Sequence, residues 1–206
     1  MKRAIPISRT VLIIIDVVNS CCDERCEIKK WRITFKKIRK MVPKLQRFID
    51  RYRYSGGEVV FIKCVPWRKE CLAKNVVELY KDPRCRYYTS DRTGFSEEFY
   101  GVKPKSGDKV FAKNTYDAFT SLGLQRLLKK KKISHVLITG IFGDGCVNAT
   151  INGGFSTGYN LIMIKDLIET TDVKDRQKHQ KILKEQMWPT MYGKTIESED
   201  IWKILG

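Results

Sequence analysis

Histidine is nearly missing from this chain: among 206 residues there are only His135 and His179, far apart. No Cys-x-x-Cys pair occurs either, so the ligand spacings of a zinc site are lacking, and we expect no metal and no cofactor. Long apolar runs are absent too. The longest one near the N-terminus, residues 11–15, is bounded by Arg9 and Asp16, too short for a spanning helix or the core of a signal peptide. The expectation is a cytoplasmic protein with no membrane partner. Repeats and low-complexity linkers are missing as well, so residues 1–206 are read as a single domain. With 42% hydrophobic and 31% charged residues, the composition excludes a disordered chain.

Acidic residues are scarce, 23 against 40 Lys and Arg, for a net charge of +17. The excess is uneven. Residues 29–53 hold eleven Lys or Arg and one acid, Asp50, and residues 129–132 are all Lys. The second run falls at the end of an expected helix, where cations complement the carbonyl end of the dipole. The first is either a solvated surface or a binding face for nucleic acid or another polyanion, and both readings stay open. The seven cysteines are odd in number and widely spread, unlike the framework of a small secreted domain, so mostly free thiols are expected. Which of Cys21, Cys22, Cys26, Cys64, Cys71 and Cys85 pair, if any do, the sequence leaves open.

What is present is a rhythm of short β-branched runs alternating with segments of helical period, the pattern of a parallel α/β sheet. Strands are expected at residues 11–15, 59–65, 109–112, 135–139 and 161–165, with a short element near Thr195. Helices are expected at 35–52, 76–80, 122–131, 146–157 and 174–187, Pro43 marking a kink or a new first turn. In a doubly wound sheet, ligands bind outside the carboxyl ends of the strands. Asp16 follows the first of these strands, Lys113 the third, and Cys146 lies just beyond the fourth, after the turn GIFGDG. That turn has neither the dinucleotide fingerprint nor the ending of a P-loop.

A carboxylate, an amine and a thiol on three strand ends make a nucleophile with its assistants. An ammonium about 4 Å from a thiol contributes on the order of 4 kcal/mol at an effective dielectric of about 20. With the helix N-terminus, that predicts a Cys146 thiolate near neutral pH. Asp16 then exchanges the proton, and the glycines let backbone amides face an oxyanion. Phe119, Phe142 and Trp67 are candidate walls of a small-molecule substrate pocket.

The segments LIIIDVVNS, GDKVFAKNTYDAFTSLGL and HVLITGIFGDGCVNATINGGFSTGYNLIMIKD resemble the isochorismatase-like cysteine hydrolases, which include nicotinamidases, carbamoylsarcosine amidase, ureidoacrylate amidohydrolases and isochorismatase. The resemblance spans roughly residues 10 to 170. It implies a three-layer α/β/α fold with a mainly parallel six-stranded sheet, and a triad of Asp16, Lys113 and Cys146. It also implies a cis peptide between Ile141 and Phe142, an oxyanion hole from the Phe142 and Cys146 amides, and a homodimer or larger assembly. The departures narrow the function. FIKCVPWRKEC has no histidine where nicotinamidases hold a metal, and Val18, Ser20 and Cys21 replace residues the family uses near the Asp. Isochorismatase itself uses no cysteine nucleophile, so Cys146 favours hydrolysis of an amide, ureide or carbamoyl C–N bond. The alternative is a non-catalytic or redox member of the fold that binds a polyanion.

Overall fold

The computed structural model describes residues 4–28, 31–66, 68–79, 81 and 98–206. Among them are six strands, β1 (Thr10–Ile15), β2 (Glu58–Cys64), β3 (Lys109–Lys113), β4 (His135–Ile141), β5 (Asn160–Glu169) and β6 (Gly193–Ile196). They form one parallel sheet in the order β3-β2-β1-β4-β5-β6. The helices are α1 (Asn19–Cys22), α2 (Lys36–Tyr54), α3 (Lys74–Leu79), α4 (Leu122–Lys130), α5 (Asn148–Ser156), α6 (Lys174–Ile182) and α7 (Trp188–Met191).

Every residue of β1 is buried, because the strand has a layer on each face. Leu12 and Ile14 join the cluster built on Ile38, Leu45 and Ile49 of α2. Val11, Ile13 and Ile15 join Leu124 and Leu128 of α4 and Ile151 of α5 on the other side. Each such side chain stabilises the fold by about 1.5–3 kcal/mol relative to exposure. The chain winds from β1 outward to β2 and β3, then returns to place β4 on the opposite flank of β1. The β1/β4 junction is thus the point where strand order reverses, the position at whose carboxyl ends sheets of this kind bind ligands.

Helix α2 runs unbroken through Pro43, with Ile38, Met41, Val42, Leu45, Phe48, Ile49 and Tyr52 buried along one stripe. That apolar stripe outweighs the one ladder hydrogen bond that Pro43 removes. The polar face carries eight of the basic residues, and four of them meet an acidic partner within the molecule. Arg39 pairs with Glu27, Lys44 with Asp166, and Arg53 with both Asp50 and Asp108. Arg51 lies over the Trp202 ring and near Glu199.

Two elements depart from their expected bounds. Strand β5 extends to Glu169, past a register shift opposite Ile138 and Gly140. The expected helix over 174–187 is helical throughout and runs on to Met191: α6 passes into a wider turn over Leu183–Met187, and α7 continues it with Pro189 in its first turn. Cys22, Cys64, Cys71 and Cys146 are free thiols, and Cys85 lies outside the described residues. Among the described residues no helix is long and apolar enough to cross a membrane.

Gly140 shows how tightly the β1/β4 junction is built. Its φ is +114°, and a Cβ there would lie 2.2 Å from the Ile15 carbonyl oxygen, the residue before Asp16. Gly140→Ala is therefore expected to destabilise the protein by about 2 kcal/mol or more, read as a lower midpoint in chemical unfolding. An unchanged midpoint would mean that β1 and β4 are less closely fixed than described.

Candidate active site

Asp16, the first residue past β1, adopts a left-handed backbone with φ of 53°. Asp tolerates that region better than most residues, and such conformations persist where the surroundings enforce them. Here the Asp16 amide donates to Ile62 of β2, and its carbonyl accepts from Val18. The turn buries the carboxylate, 4% exposed, beside Lys113, 2% exposed.

Lys113, the last residue of β3, gathers the site. Its Nζ lies 2.8 Å from Asp16 Oδ2, 3.4 Å from Cys146 Sγ, 3.1 Å from Cys64 Sγ and 3.1 Å from the Thr115 carbonyl oxygen. Burial pulls the ammonium towards neutrality, but the Asp16 charge and the two sulfurs outweigh it and hold its pKa well above the ordinary lysine value. The Lys113 ammonium is therefore fully charged below about 10.5 and is lost only as pH rises through that elevated value.

Cys146 lies in the turn Gly143–Val147, two residues ahead of the regular helix α5, and Gly145 breaks the helical path with φ −125° and ψ −111°. The Phe142 carbonyl accepts from the amides of Gly145 and Val147, and the peptide between Ile141 and Phe142 is cis. Asp144 anchors the turn: its carboxylate accepts from Arg176 Nε at 2.6 Å and Nη2 at 2.7 Å, and from the Thr170 hydroxyl. A bidentate guanidinium pair of this kind fixes orientation as well as charge.

The resting protonation state differs from the sequence expectation. Contact with the Cys64 thiol and burial, with a further push from Asp16, raise the Cys146 pKa well above its ordinary value against the pull of Lys113. The Cys64 contact and burial thus favour the thiol over the thiolate, outweighing the pull of the Lys113 charge.

Of the residues singled out from sequence, Asp16, Lys113 and Cys146 come together. Phe142 is buried, its ring stacked 6.1 Å from Phe35 and lying 5.1 Å below the Arg176 guanidinium. Phe119 is 3% exposed and packs against Tyr159, with Gly154 leaving room for its ring, so its area goes into the core beneath α5. Trp67 lies outside the described residues. Two participants were missed. Thr115 contributes a backbone carbonyl, which no side-chain pattern announces. Cys64 closes β2, so the strand-end rule that selected the other three applies to it equally.

Asp16, Cys64 and Cys146 offer three donor atoms within 4.8 Å of one another, a set with two soft thiolates suited to zinc. The Lys113 ammonium contacts the same three groups. It supplies the positive charge a metal ion would bring and occupies the space among the donors, so the residues do not fit a metal.

Comparisons with known proteins bear on the family and the fold. Over 178 residues the chain is 24% identical to the ureidoacrylate amidohydrolase of Yersinia enterocolitica, covering 79% of this chain and 76% of that protein. It superposes on a cysteine hydrolase from Pseudomonas syringae with a TM-score of 0.81 and 18% identity, covering 98% of this chain and 95% of the other. It also matches the N-carbamoylsarcosine amidase of Thermoplasma acidophilum with a TM-score of 0.65 and 20% identity, over 92% and 95% of the two chains. At such identities the structural likeness speaks for the fold. The family model of the isochorismatase domain, however, matches residues 10–200, and with nearly the whole chain accounted for, the protein belongs to the isochorismatase family.

Proposed function

We propose that the protein is a metal-independent cysteine hydrolase that cleaves an amide, ureide or carbamoyl C–N bond of a small molecule. The observation that carries this reading is the Lys113 ammonium, 2.8 Å from the Asp16 carboxylate and 3.4 Å from the Cys146 sulfur. Asp16 accepts the Cys146 proton as the sulfur attacks the substrate carbonyl. Lys113 stabilises the charge that develops on sulfur, and the Phe142 and Cys146 amides receive the oxyanion. Asp16 then returns the proton to the leaving nitrogen, which departs as ammonia or an amine and leaves a thioester on Cys146. Water, deprotonated by the same carboxylate, resolves the thioester and frees the thiol. The related amidohydrolase and amidase act on C–N bonds according to their names, which supports this choice of bond.

A panel of small primary amides, ureides and carbamoyl compounds, followed by ammonia release, tests the reading. Turnover is expected on at least one class and is expected to be unchanged by a strong chelator. Inactivation by the chelator, reversed by zinc, would replace the Lys113 account with a metal mechanism.

A further inference from the structure

The proposed hydrolysis leaves one reactive group unused. Cys64 shares the Lys113 ammonium with Cys146, and its sulfur, the Cys146 sulfur and a carboxylate oxygen of Asp16 lie within 4.8 Å of one another. Its thiol donates toward Asp16 Oδ1 at 3.7 Å. For hydrolysis this neighbour is a handicap, since it helps keep the Cys146 proton in place. Pairing a nucleophilic thiol with a second thiol and a cation is, by contrast, the arrangement that reversible peroxide chemistry needs.

We propose that Cys64 is the resolving thiol of a redox site: hydrogen peroxide oxidises Cys146, and Cys64 condenses with it to form an internal disulfide that turns the hydrolase off reversibly. The proposal rests on the reading above only in taking Cys146 as the reactive thiol. In the first step the Cys146 sulfur attacks one peroxide oxygen. The O–O bond breaks, an S–O bond forms, and sulfur is oxidised by two electrons. The thiol proton passes through Asp16 to the departing hydroxide, which leaves as water, while the ammonium of Lys113 stabilises that hydroxide as it forms. In the second step the Cys64 sulfur attacks the sulfenic sulfur. The S–S bond replaces the S–O bond, and the hydroxyl leaves with the Cys64 proton as a second water. A small-molecule or protein dithiol reverses this by exchange, itself becoming a disulfide. A rotamer change swings a cysteine sulfur by about 3 Å, the scale of movement needed to reach an S–S bond of about 2.05 Å.

The condensation has a second consequence. A sulfenic acid captured as a disulfide is kept from the sulfinic and sulfonic states, which dithiols do not reverse. Cys64 therefore limits permanent damage to the nucleophile.

The test exposes the reduced protein and Cys64→Ser to hydrogen peroxide, then follows intact mass and non-reducing peptide maps. The native chain is expected to lose two hydrogens, with the Cys64 and Cys146 peptides joined, and dithiothreitol should restore the reduced mass. Cys64→Ser is expected to add two or three oxygens at Cys146 instead. After peroxide and then dithiothreitol, the native chain should keep about tenfold more of its starting hydrolase activity than the variant keeps of its own. A native map without the joined peptide overturns the proposal, whether or not the variant folds. So does a joined peptide linking Cys146 to Cys71 or Cys21 instead. Because the main readout is mass, the two readings separate. A joined peptide in a protein with no C–N turnover would keep the redox site and remove the hydrolase, and turnover without the joined peptide would do the reverse.

Discussion

Cys146→Ala is expected to lower turnover by on the order of 10⁴-fold or more, since residues that form the covalent bond are the costliest to remove from a hydrolase. That factor corresponds to about 5 kcal/mol of lost transition-state stabilisation. Stability should barely change, by about 1 kcal/mol or less, because Lys113 keeps Asp16, Cys64 and the Thr115 carbonyl as partners. Thermal unfolding beside ammonia release separates the two effects. The contrast between a large kinetic loss and a small stability loss identifies a nucleophile, whereas a residue that only holds the turn together would lose both. A variant with native activity on a confirmed substrate would mean that Cys146 is not the attacking group.

Lys113→Met should show the opposite balance, losing activity and stability together. Its ammonium is almost wholly buried against an equally buried carboxylate. Removing one partner of such a pair strands the other charge, a cost of about 3–5 kcal/mol. Combining Lys113→Met with Asp16→Asn should recover much of the stability and none of the activity, because the buried charge is gone while the proton acceptor is gone too. A single Lys113→Met variant as stable as the native chain would show that the pair is solvated and weak. One that retains most of its turnover would remove Lys113 from the chemistry.

Much of this architecture can be read from the chain because its strands are written as continuous β-branched runs, and residues 10–15 are buried on both faces as that pattern implies. Asp16, Lys113 and Cys146 were accessible by one topological rule, that side chains following parallel strands face the ligand crevice. Cys64 obeys the same rule and was passed over, since in FIKCV a cysteine reads first as a small hydrophobe or a bridge partner. The protonation state of Cys146 was beyond sequence for a related reason. The Lys113 charge could be anticipated, but the Cys64 contact and the burial that outweigh it exist only in three dimensions. Phe119 illustrates a further limit: an aromatic beside a catalytic motif looks the same whether it lines a pocket or, as here, packs beneath Gly154 and Tyr159. Pro43 is the converse case, a local breaker overridden by the seven buried residues of α2.

The most direct test of the central claim is to trap the thioester. The enzyme, mixed with a turned-over amide or carbamoyl substrate and quenched in acid within the first turnover, should gain the mass of the substrate's acyl group. Peptide mapping should place that mass on Cys146, and hydroxylamine should remove it. Turnover that proceeds with no adduct at any quench time, and with water adding directly to the substrate, would contradict covalent catalysis by Cys146.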